Sequence, residues 1–141
     1  MKSINSTNRE DAGKLTLRLT VSGMMLFHGI HKLIYGHDFI IYLLKRDGWP
    51  SYLVYGVPVG EVAAPLLLLL GAWTRFASGM IIFTMAVSIY LFLGADAFAL
   101  DQYGALKSQL NLFFIGSCSA LFCMGPGKYT ISSLIDKSLF H

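Results

Sequence analysis

The chain has 141 residues, of which 55% are hydrophobic and 13% are charged, and its formal net charge is +3. With a mean hydropathy of +0.58, it carries more apolar surface than a soluble domain of this size can bury. Composition therefore excludes an ordinary soluble protein and predicts a membrane protein. The basic residues are scattered between apolar blocks without interleaved aromatic residues, which argues against nucleic acid as a partner.

The first elements in chain order are a polar arm, residues 1–14, and an apolar span from Leu15 to Tyr35. About 20 apolar residues are needed to cross the hydrocarbon core of a bilayer. The arm is too long and too mixed for the charged region of a signal peptide, so we expect the first span to remain as a membrane anchor. Arg18 lies one turn inside this span, and its long side chain is expected to reach back to the cytoplasmic surface.

A short apolar run, Phe39 to Leu44, follows the first span and precedes Lys45 and Arg46. Six residues are too few to cross a membrane. With Asp38 as its N-cap, the run can instead form a helix that lies in the membrane interface. We therefore predict a short interfacial helix between the first and second spans.

Three further apolar segments have about the length that a membrane span requires. They run from Tyr52 to Trp73, from Phe76 to Gly94 and from about Leu106 to Met124. Because only Thr74 and Arg75 separate the second and third spans, these two are expected to form an antiparallel helical hairpin. The fourth span is followed by Gly-Pro-Gly, residues 125–127, which is typical of a helix end.

The distribution of Lys and Arg predicts the orientation of the chain. The N-terminal arm, the turn at Arg75 and the C-terminal tail share one side of the membrane and carry more basic residues than the loops on the other side. The more basic side is normally cytoplasmic. We thus predict an all-α, integral membrane four-helix bundle over residues 15–127, with both termini cytoplasmic and a cytoplasmic tail over residues 128–141.

Motifs for large cofactors are missing from the sequence. It has no dinucleotide-binding fingerprint, no cysteine-rich cluster motif and no covalent haem motif, so we expect no cofactor of its own. Cys118 and Cys123 lie in the last span on different faces of a helix, and they are expected to be free thiols.

Three titratable side chains, His28, His31 and Lys32, lie inside the first span. At 100° per residue, the two histidines share a stripe with Met24 and Tyr35, and Lys32 lies beside it. We expect a buried stripe, with Lys32 extending to the outer surface. Ionisable groups inside a membrane are costly and are candidates for ligand binding or proton exchange. The structural alternative is that the histidines only hydrogen-bond neighbouring helices together.

Glu61 is the acidic residue of the second span, at about the depth of His28 in the first. Pairing makes buried ionisable groups tolerable, so a contact between His28 and Glu61 is predicted. Pro65 lacks an amide donor and leaves the carbonyl of Glu61, four residues earlier, without its helical partner. His28, His31, Lys32 and Glu61 are therefore the predicted site for ligand binding or proton exchange.

The other polar residues of the later spans indicate less. The third span contains Thr84, Ser88 and Tyr90 but no charge, and we expect it to be scaffold. Gln109 and Asn111 begin the last span, where solvation at the interface is the expected reason for them.

Motifs in the first two predicted spans and just after the fourth occur in a recognisable order. They are Arg18, Gly23 and His28-Gly29-x-x-Lys32-Leu33 in the first; Gly60-Glu61, a leucine block and Gly71-x-x-Thr74-Arg75 in the second; and Gly125-Pro126-Gly127-Lys128-Tyr129 after the fourth. This arrangement resembles the DoxX family of small four-helix bacterial membrane proteins, from about Leu15 to Tyr129. His31 is not part of the family pattern.

The resemblance implies a multi-pass protein of the bacterial cytoplasmic (inner) membrane. Similar proteins include the small subunit of an archaeal thiosulfate:quinone oxidoreductase and membrane partners of redox enzymes that handle sulfur compounds or oxidative stress. The implied function is a membrane subunit, itself catalytic or only accessory, of a quinone-linked redox complex. Its implied partners are the lipid bilayer, a redox protein and a quinone. No catalytic role for any residue follows.

Two alternative functions remain open. Association of several copies of the chain also remains open. A transporter of a small solute or a metal ion is one, because His28, His31 and Glu61 would offer the three ligands of an open metal site. The sequence has no internal repeat that relates its two halves, which argues mildly against transport. The other is a non-catalytic anchor or assembly factor whose polar residues only hold the bundle together.

Overall fold

The computed structural model describes residues 2–131, with side chains from Thr7 onward. Over this range the chain forms five helices and no β-strand longer than the single bridge between Leu100 and Leu106. The helices are α1, Lys2–Tyr35; α2, Asp38–Arg46; α3, Ser51–Leu70; α4, Thr74–Phe98; and α5, Gln109–Met124. The all-α prediction is confirmed, and most of the predicted tail, residues 132–141, lies outside the described residues.

Helix α1 contains both the predicted polar arm and the predicted first span. It runs from Lys2 to Tyr35 without a break, because neither the polar residues nor Gly13 is unfavourable enough to end a helix that is packed along one side. The boundary between residues 14 and 15 is thus a change of composition and not the end of an element.

Helix α2 forms where the short apolar run predicts it, but its first residue differs. The cap position is His37, which makes no side-chain cap bond, and Asp38 is already in the first turn. The prediction of Asp38 as the N-cap is therefore wrong. A carboxylate in the first turn is instead favoured by the helix dipole. Ile40, Leu43 and Leu44 are buried against the start of α3 and the end of α4.

Helix α3 is irregular around its two prolines. A 3₁₀ turn at Ser51–Tyr55 leads into a short α segment, then into a π-helical segment at Val59–Ala63 and a regular α segment at Ala64–Leu70. The missing amide of Pro65 accounts for the wide turn before it, since the i→i−4 ladder cannot continue through proline. Glu61 lies in the middle of the π segment.

The connection between α3 and α4 is the predicted tight turn, shifted toward the N-terminus. It consists of residues 71–73, while Thr74 and Arg75 already belong to α4. Gly71 ends α3 in the left-handed conformation, with φ of 73°, which glycine adopts without steric cost. The two helices form the expected antiparallel hairpin.

The four long helices pack in a ring around one core. Helices α1 and α4 each contact α3 and α5. The core takes residues from all four helices: Val21, Met25, Ala64, Leu68, Ala77, Ile81, Met85, Phe114, Cys118 and Leu121. Both cysteines are free, Cys118 in this core and Cys123 on the surface, as predicted.

Arg18 does not reach the membrane surface, so that prediction is wrong. Its side chain is 1% exposed and donates hydrogen bonds to the carbonyls of Leu68 and Leu69 at the end of α3 and of Pro126 and Tyr129 after α5, at 2.7–3.0 Å. Helix ends leave carbonyls without intrahelical donors, and the guanidinium supplies them. We call these five residues the Arg18 node.

Two helices of the described chain, Ser51–Leu70 and Thr74–Phe98, are long and apolar enough to cross a membrane. Helix α5 is apolar, but its 16 residues are too few. Helix α1 has 34 residues but is not among the helices that combine this length with enough apolar residues. Length and composition therefore support two of the four predicted spans.

Candidate functional site

Lys32 and Glu61 form an ion pair between α1 and α3. Lys32 Nζ donates to Glu61 Oε1 at 2.6 Å, and the side chains are 26% and 3% exposed. Two predictions fail here. Lys32 turns inward instead of extending to the surface, and it takes the place of His28 as the partner of Glu61. An ammonium brings three donors to the carboxylate on a long, flexible side chain, whereas an imidazole nitrogen brings one.

Two glycines let the helices approach closely around Glu61. A Cβ atom added at Gly29 of α1 would collide with the carbonyl oxygen of Glu61, and one added at Gly60 of α3 would collide with the Thr84 hydroxyl of α4. The carbonyl that Pro65 frees is thus covered by the backbone of α1. Irregular backbone at membrane depth requires such cover by protein or a wet cavity.

Only one oxygen of the Glu61 carboxylate has a protein partner. Oε1 accepts from Lys32, whereas Oε2 is buried and accepts no hydrogen bond from a described protein group. A buried oxygen without a donor costs about 1–3 kcal/mol. Such a cost in a native structure calls for a functional reason or an ordered water or ion.

A cavity of about 280 Å³ lies on one side of the pair, between α2, α3 and α4. Lys32 and Glu61 provide its charged end, and apolar or aromatic side chains line most of the remainder, including Trp49, Phe83 and Phe92. Lys32 Nζ also lies 5.8 Å from the centre of the Phe92 ring, within the range of a cation–π contact. Small-molecule sites commonly combine an apolar wall with a few polar groups in this way.

A second cavity of about 150 Å³ lies on the other side, between α1, α4 and α5. It shares Lys32, Glu61 and Ser88 with the larger cavity and adds His28 and Asn111. The ion pair therefore separates an apolar cavity from a smaller one with more polar side chains.

The two histidines of the predicted stripe have different surroundings. The stripe is not buried as predicted, since Met24, His28, His31 and Tyr35 are all exposed. His28 nevertheless borders the smaller cavity, and its Nδ1 lies 3.1 Å from the carbonyl oxygen of Met24. Because a carbonyl only accepts, Nδ1 is the donor in this contact.

His31 stays outside the site. Its ring stacks on Tyr35 with 4.4 Å between the ring centres, and it lines neither cavity. No three His, Cys, Asp or Glu side chains of the described residues converge as metal ligands. The proposed His28, His31 and Glu61 metal site is therefore not formed, because the His31 ring packs on Tyr35 outside both of the cavities that Glu61 borders.

The sequence interpretation missed three contributors to the cavities. Ser88, assigned to scaffold, borders both cavities; Asn111, assigned to interfacial solvation, borders the smaller one; and Trp49 borders the larger one. A single hydroxyl or amide group in an apolar segment is only weak evidence of a functional site. The significance of these groups comes from the convergence of α4 and α5 on the Lys32–Glu61 pair.

Taken together, the fold and site define a helical membrane protein with an ion pair buried between two cavities. The DoxX family model matches residues 13–94, more than half of the chain, and the chain belongs to this family. The match includes Arg18, Gly29, Lys32 and Glu61, and it ends before the Gly-Pro-Gly motif at 125–127. No curated protein and no solved structure is significantly similar to the chain.

Proposed function

We propose that this protein is a membrane subunit of a quinone-linked redox complex and that the larger cavity binds the quinone headgroup. The observation that carries the proposal is the buried Lys32–Glu61 pair, with one carboxylate oxygen unpaired, at the polar end of an apolar cavity. A quinone has an apolar ring with oxygen atoms at opposite ends, and this cavity offers matching surroundings.

The pair suits both redox forms of such a ligand. Lys32 uses one donor on Glu61 and has further N–H groups for a quinone carbonyl. The unpaired Oε2 of Glu61 can accept the hydroxyl hydrogen of a quinol and take its proton. We therefore assign the donor role to Lys32 and the proton exchange to Glu61, while His28 lies on the far side of the pair.

We further propose that all four long helices cross the bacterial inner membrane, with both termini cytoplasmic. Helix α1 supports this because its outer face is apolar: Phe27, Ile30, Leu33 and Ile34 are 46–79% exposed. The charge of Arg18 does not prevent α1 from crossing the membrane, since four backbone carbonyls accept hydrogen bonds from its guanidinium. The end of the bundle with the Arg18 node also carries Arg9, Lys14 and Arg75, as the more basic side should.

The chain contains an intrinsic reporter for the proposed ligand. Of its two tryptophans, Trp49 lines the larger cavity, whereas Trp73 lies exposed at the opposite end of the bundle. A Trp73→Phe variant thus emits from Trp49 alone. Titration with decylubiquinone, in lipid nanodiscs, should quench this emission to saturation, and a Trp49→Phe variant should show no saturable quenching.

The site variants are then compared in the Trp73→Phe background. Glu61→Gln should weaken decylubiquinone binding by about tenfold or more, the equivalent of ~1.4 kcal/mol. Glu10→Gln is the matched control, because Glu10 is the same residue type exposed on α1, and its affinity should be unchanged. Unchanged affinity in Glu61→Gln, or no saturable quenching in the parent protein, would contradict the proposal.

The same titration separates the alternatives. In a non-catalytic anchor, Glu61→Gln would lower thermal stability without any quinone binding to lose. A small-solute transporter would give accumulation of solute in vesicles and no saturable quenching of Trp49.

A further inference from the structure

The unpaired oxygen of Glu61 needs a hydrogen-bond donor, and water in the smaller of the two cavities that Glu61 borders can supply one. Oε2 is buried without a protein partner, and Glu61 borders this cavity together with His28, Ser88 and Asn111. At about 150 Å³, the cavity has room for several water molecules, which occupy ~30 Å³ each in the liquid and need two to four polar partners. The site satisfies both conditions.

The two cavities also differ in what surrounds them. The rim of the larger one includes Leu53, Val59 and Phe83, whose apolar side chains are 41–66% exposed, so this rim suits contact with lipid. The smaller one is bordered by Leu110 and Asn111 in the first turn of α5. Both cavities lie at the same end of the bundle, so the difference that matters is in their lining: the smaller one adds His28 and Asn111 beside the ion pair, whereas the larger one is mostly apolar.

We propose that the smaller cavity is a water-filled inlet through which Glu61 exchanges its proton with the aqueous phase, while ligand enters the larger cavity from the lipid. The inference rests on the proposed function and assigns it a proton route. As the redox partner of the proposed complex takes the electrons of a bound quinol, the quinol O–H bond breaks, its proton passes to Glu61 Oε2, and the resulting carboxylic acid returns the proton to water in the inlet. This chain transfers no electron in these steps.

Single cysteines in the two cavities test the inlet without any quinone. The background is Cys123→Ser, which leaves only Cys118, buried in the core. Asn111→Cys places a thiol in the smaller cavity and Val57→Cys places one in the larger. Both positions are half-buried, and Lys32 borders both cavities.

Each variant, in nanodiscs, is treated with a charged, water-soluble methanethiosulfonate and separately with membrane-permeant N-ethylmaleimide. Thiol reagents react with the thiolate, which forms in water and not in apolar surroundings. We expect the charged reagent to modify Asn111→Cys about tenfold faster or more than Val57→Cys. A second matched pair, Leu110→Cys and Leu53→Cys, replaces the first if either variant misfolds.

Equal rates at the two positions, or no reaction of Asn111→Cys with the charged reagent, would overturn the inlet. Neither result changes the decylubiquinone titration. Conversely, fast labelling of Asn111→Cys without saturable quenching of Trp49 would support a water inlet to Glu61 and reject the quinone. The two proposals can therefore fail separately.

Discussion

Arg18 is a buried cation of α1 and Lys32 a half-buried one, and the two have opposite surroundings. Arg18 is 1% exposed and donates to four backbone carbonyls from two other segments. Lys32 has a single carboxylate partner, whose second oxygen is unpaired, and a cavity on either side. A cation that satisfies its neighbours completely stabilises a fold, whereas one beside unsatisfied groups and open space indicates a site.

The packing is also tighter around Arg18 than around Lys32. At the Arg18 node, a Cβ atom added at Gly71 would collide with the guanidinium, so the chain closes tightly around the charge. At the Lys32–Glu61 pair, the close approach is confined to Gly29 and Gly60, and the space beyond is open. The tightly packed end of α1 is thus the expected source of stability, and the open end is where we propose ligand binding.

The largest expected effect comes from removing the cation of the Arg18 node. Arg18→Ala removes a donor from four carbonyls, of which Leu68 O keeps the Gly71 amide; because each unsatisfied buried group costs about 1–3 kcal/mol, we expect the other three to give a loss of more than ~3 kcal/mol. Thermal unfolding in detergent measures it. The control Arg75→Ala removes an exposed arginine and should change stability by less than about 0.5 kcal/mol. Equal losses in the two variants would show that the node is not structural.

An intermediate effect is expected where α1 meets α3 beside the site. Gly29→Ala forces a methyl group against the Glu61 carbonyl and should cost about 1–3 kcal/mol of stability. It should also weaken decylubiquinone binding, because it displaces Glu61 from Lys32. Gly23→Ala is the control, since a Cβ there meets nothing within 4 Å and alanine favours a helix by up to ~1 kcal/mol. If the two variants have equal stability, the close approach is not required.

The smallest effect is expected at His31, which sharpens the limits of the site. His31→Ala removes an exposed ring that contacts Tyr35 and should change stability by less than about 0.5 kcal/mol. The affinity for decylubiquinone, measured by quenching of Trp49, should remain that of the parent protein. A loss as large as that of Glu61→Gln would place His31 in the site after all.

Several features follow from sequence because they depend on local order along the chain. Composition predicts the membrane class, and runs of apolar residues predict the helices. Pro65 predicts the disturbed backbone at Glu61, which is a π segment in the structure. Ionisable residues in apolar segments also nominate Lys32 and Glu61 as candidate site residues before any contact is known. These inferences need only propensities, periodicity and the cost of burying charge.

The partners of those residues depend on tertiary structure. Depth along two helices predicts that His28 meets Glu61, but depth does not determine rotation about the helix axis. The close approach at Gly29 sets that rotation and brings Lys32 to the carboxylate. Likewise, a lone arginine near the end of a span predicts a surface group. Only the packing of α3 and the chain after α5 around it makes Arg18 a buried structural residue.

What the sequence alone determined is therefore an all-helical membrane protein with costly charges on α1 and α3. What the tertiary structure decided is which charge stabilises the bundle and which lies in a site. The reason is physical: the cost of burying a charge is a property of the residue, but its compensation depends on donors, acceptors and open space contributed by distant segments.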